Sequence, residues 1–462
     1  MTRPENPDAE AAETDLRSML NAPQSTAATA ALGAEGIESA LDSSPVTRFR
    51  KRYTTAYLAA VFTIYLAWIA PIAFTLAIRI EGIDPVGKNA ALALAIGIPG
   101  ILVLITGPLV GVLSDRTRSR LGRRRPWLLL GAALGVVGSV GVGIASTIPV
   151  LILSWTIAYV GYTMCQGMLI THLGDRLPED QRGRVAGLTG ALQQIAPIMG
   201  VAVAGAFVEM PLAMFVIPGV IALVGTLTFA LAMKDSAAAA QVKERIDLQR
   251  LLRGFYFNPR RHPNLGWVWI SRAFMFLALS FQQVYSVYLI AERLSLEPAA
   301  IAALVSTAGL GSVLTSILGA VVCGWLSDRL RSRKPFLLLS AVILSGAILV
   351  TATMTTIPQY YLGALLGTFA IGVYGAVDQA TALDVLPVGE DQNGRYMGIV
   401  NLANQAPQAV GPFLAAAIVG AADGNYAAVY FVAAGVAVVS GLLILPLKLV
   451  RSERTESIRT AR

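Results

Sequence analysis

Two residues of opposite charge interrupt long apolar stretches of this 462-residue chain: Arg272 in WVWISRAFMFLALSF and Asp378 in GTFAIGVYGAVDQATAL. Charges inside hydrocarbon are costly, rare and concentrated on ion and substrate pathways. A carboxylate beside a guanidinium stays ionised and takes up a proton more readily once that partner withdraws. Arg272 and Asp378 are therefore expected to pair and to exchange a proton during a conformational cycle. The plainer alternative is a static buried ion pair.

A second constellation is the run Asn401, Asn404, Gln405 and Gln408. Its spacing of i, i+3, i+4 and i+7 places all four amides on one helical face. Unpaired amides cost several kcal/mol in hydrocarbon, so this face must meet another helix or water. Interhelical hydrogen bonding and the lining of a cavity for a polar solute both satisfy that demand. Gln193 and Gln194 occupy a related stretch earlier in the chain, and Gln282 and Tyr285 follow Arg272. With the amide stripe, Arg272 and Asp378 they form the expected solute-binding set. Tyr65, Trp68, Tyr159 and Tyr162 add aromatic surface, which also serves ordinary helix packing. Asp175, three residues after His172, joins Arg272 and Asp378 as a coupling candidate; an interfacial cap at a helix end is the alternative. His262 reads as a solvated loop residue.

A third feature is a charged hairpin that occurs twice. The first copy, GVLSDRTRSRLGRRRPWLLL, contains Gly111, Asp115, Arg116, Arg120, Gly122 and Arg123; the second, GWLSDRLRSRKPFLLL, contains Asp328 and Arg329. A carboxylate at a helix end among arginines can pair with them or with a neighbouring helix N-terminus. These residues form the expected gating set, which would latch one side shut in one conformer. Anchoring of topology by positive charge is the simpler role.

The elements that carry these residues are membrane-length helices. Hydrophobic residues make up 55% of the chain and charged ones 14%, with a mean hydropathy of +0.63; soluble domains carry roughly 25% charged residues. Apolar runs long enough for a helix to cross the ~30 Å hydrocarbon core recur along the chain. The predicted spans are 54–79, 89–113, 127–146, 149–171, 184–208 and 212–233, then 267–290, 299–325, 335–356, 358–383, 395–419 and 427–449. The fold class expected is an all-α membrane protein of twelve helices in two six-helix repeats.

Lys and Arg locate the chain in the bilayer. If both termini are cytoplasmic, all but four of the 36 basic residues lie on the inner side; the four are Arg79, Lys88, Arg293 and the intramembrane Arg272. Such an asymmetry fixes orientation and accounts for the net charge of +8 without nucleic acid. Residues 1–46 read as a disordered cytoplasmic tail, 47–233 and 267–450 as the two halves, 234–266 as a basic cytoplasmic linker, and 451–462 as a second tail. The two cysteines, Cys165 and Cys323, read as buried packing thiols. No cofactor, metal site or nucleotide-binding loop is indicated. A cell membrane of the bacterial cytoplasmic type is the default location.

Duplication is also visible elsewhere. Asp115 and Asp328 are 213 residues apart, and DQRGRVAGLTGALQQIAPIMG from Asp180 parallels DQNGRYMGIVNLANQAPQAVG from Asp391 at a shift of 211. Two near-identical shifts imply homologous halves in one orientation.

The pattern Gly111-x-x-x-Asp115-Arg116 with its basic cluster resembles the cytoplasmic hairpin of the major facilitator superfamily. The longer DRTRSRLGRRRPW, with Gln166-Gly167, Asp175 and GNYAAVY at 424–430, is similar to the glycoside–pentoside–hexuronide:cation symporters, including sucrose-transporter-like proteins. The resemblance implies a twelve-helix secondary transporter with a central site, alternating access, and a sugar or glycoside as small-molecule substrate. The acids of the melibiose-type branch are replaced here by Gly107 and Val103, and an arginine of the plant sucrose transporters by Ile170. Proton rather than sodium coupling follows as the expectation, with uncoupled facilitation as the alternative. An exporter of a small metabolite or drug is the alternative, and a non-transporting membrane sensor a further one. An enzyme is not expected, since no nucleophile or metal cluster converges.

Overall fold

The computed structural model describes residues 51–117, 119–176, 179–233, 260–330, 332–385 and 393–447, with the side chains of 174–184 among those not described. The two tails and most of the proposed linker lie outside the described residues. Among the described residues thirteen helices follow in order: α1 (Arg52–Ile83), α2 (Lys88–Arg116), α3 (Arg125–Ile144), α4 (Ile148–Arg176), α5 (Glu179–Gly205), α6 (Pro211–Ala232), α7 (Pro263–Val284), α8 (Ser286–Leu294), α9 (Pro298–Arg329), α10 (Lys334–Ala352), α11 (Ile357–Asp384), α12 (Asn393–Ala421) and α13 (Tyr426–Leu442). Ten of the helices are long and apolar enough to cross a membrane. The amide stripe makes α12 less apolar, and α13, at 17 residues, is shorter. This is an all-α membrane protein.

Prolines in the first turn open α3, α6, α7, α9, α10 and α11, where the missing N–H leaves no hydrogen bond unmade. Two interruptions depart from the predicted spans. In α1, residues Pro71–Thr75 form a π-helical turn, with the Leu76 N–H donating to the Pro71 carbonyl. Pro71 cannot donate to the turn before it, which favours such a widening. The seventh predicted span is divided at Tyr285 into α7 and α8. There the Tyr430 hydroxyl, on α13, donates to the Gln282 carbonyl at 2.7 Å, so a carbonyl near the break keeps a partner inside the bundle. The last helix ends at Leu442 instead of 449.

The repeat seen in sequence is also a repeat of neighbours. α3 packs on α4 as α10 packs on α11; α1 packs on α5 and α6 as α7 packs on α12 and α13; α3 meets α6 as α10 meets α13. Between the halves, α2 packs along α12 and α5 along α9.

Close approach requires glycine at these contacts. A Cβ on Gly372 would lie 2.0 Å from the Ser316 carbonyl oxygen, joining α11 to α9. On Gly97 it would meet the Phe413 ring, and on Gly205 the Ala302 Cβ, at the two inter-half seams. Gly346, by contrast, faces open space. Gly372→Ala should therefore lower unfolding stability by about 1–3 kcal/mol, while Gly346→Ala stays within about 0.5 kcal/mol of the parent. Denaturation in detergent, followed by intrinsic fluorescence, checks the difference.

Candidate substrate and coupling site

The structure brings Arg272 on α7 to Asp378 on α11. Arg272 Nη1 lies 3.0 Å from Asp378 Oδ2, with side-chain exposures of 9% and 7%. Arg272 Nε donates to Asn404 Oδ1 on α12 at 2.5 Å. One guanidinium thus ties three helices together, using the planar fork that suits arginine to this task. On the side toward the α7 start lies an apolar plug of Leu265, Ala382, Tyr396, Ile399 and Val400 from the same three helices, with Trp269 packed against it. Trp269 Nε1 donates to the Ile399 carbonyl at 2.9 Å. On the opposite side, Phe276 and Tyr374 meet edge to face at 6.4 Å. Water is thereby kept from the pair along the helix axes, which strengthens its attraction.

Asn404 turns inward to the arginine, whereas Asn401, Gln405 and Gln408 are exposed. Gln408 Nε2 donates to its own helix at the Asn404 carbonyl. It also reaches a cavity of about 350 Å³ lined by Phe276, Gln282, Gln283, Thr351 and Tyr360. The cavity floor lies one helical turn beyond the ion pair, since Phe276 and Gln408 each follow a pair-site residue by four positions. Its lining contains amides and hydroxyls but no charged side chain. Of the expected binding set, Gln282, Gln408, Arg272, Asp378 and Asn404 therefore gather in one region of the second half.

The other candidates are placed elsewhere. Gln193 is half-buried and Gln194 exposed on α5. Tyr285 is fully buried and donates to the Asn89 carbonyl at 2.9 Å, at the contact between halves. The side chain of Asp175 lies outside the described residues. His172 is buried among Tyr53 and Phe229, with ring centroids 5.9 and 5.7 Å away. His262 lies 5.8 Å from the Tyr396 ring. In the first half, Gln166 Nε2 donates to the Tyr65 hydroxyl. Tyr65, Trp68, Tyr159 and Trp155 follow one another edge to face, at centroid distances of 5.5, 5.6 and 5.8 Å.

The ion pairs described for the hairpin residues lie within their own halves. Asp115 Oδ1 is 3.8 Å from Arg123 Nε and 4.0 Å from Arg124 Nη2. Arg124 is buried, and Arg125 donates to the Met233 carbonyl at the end of α6. Gly122, at φ 99°, takes the left-handed conformation that closes the hairpin. Gly111 has open space where a Cβ would stand, and Arg116 and Arg120 are exposed. In the second copy Asp328 is exposed, Arg329 stacks over the Trp325 ring at 5.1 Å, and the ion pair is Arg333–Asp384 at 3.2 Å.

Among the described residues, links between halves cluster at the opposite end, where Asn89 and Tyr288 were not singled out in the sequence. Asn89 on α2 accepts from Tyr285 at its carbonyl and from Tyr426 at Oδ1, 2.8 Å away. Tyr288 donates to the Ala77 carbonyl at 3.0 Å. The three tyrosines pack together with centroids 5.6–6.2 Å apart. Lys88 lies 4.6 Å above the Tyr288 ring and 2.5 Å from Glu81. The motif GNYAAVY contained Tyr426, but its partner Asn89 sits some 340 residues earlier with no periodic cue. These contacts hold the halves together at the end that the Lys and Arg distribution assigns to the exterior.

Two packed helical halves, a buried ion pair between helices and a solute-sized cavity define a multi-pass membrane transporter. A family model described as the Major Facilitator Superfamily matches residues 56–316 and 268–462, and the chain belongs to that superfamily. Similar solved structures include a bacterial homologue of the human lysosomal transporter Spinster, inward-facing and unoccupied (14% identity, 87% of this chain, 100% of that one, TM-score 0.66). The nucleoside transporter NupG (15% identity, 86% and 98%, TM-score 0.67) and a D-xylose–proton symporter (15% identity, 86% and 98%, TM-score 0.62) share the fold as well. No curated protein sequence matches this chain.

If the tyrosine–asparagine seal holds the exterior side shut, Asn89→Ala should raise the population open to the outside about fivefold, the equivalent of one hydrogen bond of ~1 kcal/mol. A Ser280→Cys reporter inside the second half, labelled by a membrane-impermeant thiol reagent added outside, reads this as faster modification. Cys165 and Cys323 are buried and give little background.

Proposed function

We propose that this chain is a proton-coupled secondary transporter of a small polar solute, a sugar or glycoside, working by alternating access between its halves. The observation that carries the proposal is the buried Arg272–Asp378–Asn404 cluster one turn from a charge-free cavity. A proton arriving at Asp378 neutralises the carboxylate and releases Arg272. The freed guanidinium then keeps Asn404 as its neutral partner, so separating the ion pair does not leave a bare cation in a dry site. Because α7, α11 and α12 all meet at this cluster, releasing the pair loosens the helices that line the cavity. Occupation of the cavity and protonation of Asp378 thereby bias the same packing, which is the requirement for coupled transport. Neutral amide and hydroxyl groups in the cavity suit a hydroxylated solute, each offering donors and acceptors without a charge to balance. The D-xylose–proton symporter of the same fold supports the reading.

The hairpin pairs and the exterior seal are assigned opposite roles in this cycle. With the exterior sealed, Asp115 is held within its own half and Asp328 is exposed; we take their engagement across the inner side to belong to the other conformer. Gly111, Asp115, Arg116, Arg120, Gly122, Arg123, Asp328 and Arg329 would then act as the inner gate.

Proteoliposomes holding the purified protein and an imposed pH gradient test the proposal. Mono- and disaccharides are added one at a time while external pH is recorded. Sugar-evoked proton movement is expected in the parent and at least tenfold slower in Asp378→Asn, provided that the variant's melting profile shows it folded. Absence of proton movement with every sugar, from folded parent protein, contradicts the proposal.

A further inference from the structure

We infer that Tyr374 is the positioning residue that connects the cavity to the ion pair: when an occupied cavity displaces Phe276, the Tyr374 hydroxyl takes the place of Arg272 at Asp378. This rests on the transporter reading above and deepens it, by assigning to one side chain the step through which solute acts on the carboxyl.

The register of α7 against α11 puts these residues in order. Arg272 meets Asp378, and Phe276, four residues later on α7, meets Tyr374, four residues earlier on α11. Opposite shifts of four mark antiparallel neighbours whose contacts stack one turn apart. One turn further on, Leu279, Ser280 and Gln283 of α7 and Ile371 of α11 line the cavity, as does Phe276 itself. The order along this contact is therefore ion pair, aromatic pair, cavity. Tyr374 stands behind Phe276, outside the cavity lining.

The tyrosine carries a hydroxyl that packing alone does not call for. Tyr374 is 6% exposed. Its hydroxyl comes within reach of the Asp378 carboxyl without completing a hydrogen bond to it. Native interiors rarely leave a buried hydroxyl unmatched, and a phenylalanine would fill the same space without that cost. Asp378 is meanwhile engaged by Arg272 at 3.0 Å. The spacing i, i+4 keeps Tyr374 and Asp378 on one face of α11, so a turn of the tyrosine side chain completes the bond. Among the described residues no titratable group besides Arg272 and Tyr374 acts on Asp378; α9 and α10, on which α11 chiefly packs, contribute none.

The same arrangement makes the tyrosine movable. α11 packs only sparsely on α7, so side chains rather than close backbones join the two. Half-buried Phe276 separates the cavity from Tyr374. A solute filling the cavity presses on Phe276, and the ring packed edge to face on it follows. With the hydroxyl at Asp378 and the guanidinium retained by Asn404, each member of the ion pair keeps a polar partner as they separate. The carboxyl, no longer beside a positive charge, then binds a proton more readily. Tyr374 keeps its own proton throughout.

Infrared titration of the full-length reconstituted protein, with no solute added, tests this. The protonated-carboxyl band of Asp378, assigned by its loss in Asp378→Asn, is followed against pH in the parent, Phe276→Leu, Tyr374→Phe and the double variant. Melting profiles check that each is folded, and Phe276→Met replaces Phe276→Leu if that variant unfolds. Phe276→Leu frees the tyrosine as an occupied cavity would. It should move half-formation of the band up by about one pH unit, a gain of about tenfold in proton affinity. Tyr374→Phe alone should stay near the parent, and the double variant should lose the whole shift. A sugar that drives proton movement in the parent should produce the same upward move there and none in Tyr374→Phe. A Phe276→Leu shift that is absent, downward or retained in the double variant overturns the inference, as does a sugar-induced move that survives Tyr374→Phe. Those outcomes leave the transporter proposal standing. Absence of any Asp378 band from the parent at every pH overturns proton coupling and the inference together.

Discussion

The interaction on which the second half depends is the contact of Arg272 with Asp378 inside the bilayer. Each charge alone would be costly at that depth. Together, and with Asn404 on the remaining face of the guanidinium, they are tolerated. The tolerance depends on geometry supplied by three helices at once, so any movement of α7, α11 or α12 alters the electrostatic cost of keeping Asp378 ionised. The apolar plug of Leu265, Ala382, Tyr396, Ile399 and Val400 sharpens this dependence by keeping solvent from the pair on one side. A buried pair is weak evidence for stability, since apolar replacements often serve as well.

Around that pair the two halves are alike in neighbours and unlike in chemistry. Equivalent helices pack in equivalent ways, through glycine and carbonyl contacts such as Gly372 with Ser316. The first half holds aromatic rings at mid-depth, whereas the second holds amides and the ion pair. Both known inter-half hydrogen bonds through Asn89 and the Tyr288–Ala77 bond lie at one end. Glycine contacts at the seams, Gly97 with Phe413 and Gly205 with Ala302, fall toward that same end. The described contacts between the halves are thus concentrated toward the end that carries Asn89, away from the charged hairpins.

Much of this was legible in the sequence because hydrocarbon imposes simple rules. Apolar runs, the Lys and Arg asymmetry and the duplicated hairpins sufficed for an all-helical, two-repeat membrane protein. Arg272 and Asp378 stood out because charge is so scarce in those runs. The break at Tyr285 did not, since QQVYSVY contains neither proline nor glycine and the partner that supports it, Tyr430, comes from α13. The exterior seal was hidden for a related reason: Asn89, Tyr285, Tyr288 and Tyr426 are each ordinary interfacial residues, and only tertiary packing makes them a unit. Tyr285 illustrates the limit well. Its position after Gln282 suggested the cavity, yet one residue of helix break turns it to Asn89 at the seam.

The measurement that tests the central claim most directly is the solute-induced infrared difference spectrum of the reconstituted protein. It reports whether a carboxyl group changes protonation as solute binds. The account predicts a change in a protonated-carboxyl band that is present in the parent and absent from Asp378→Asn. Solute binding that leaves no such Asp378-dependent band at any pH from acid to alkaline would contradict it, and would return the Arg272–Asp378 pair to a purely structural role.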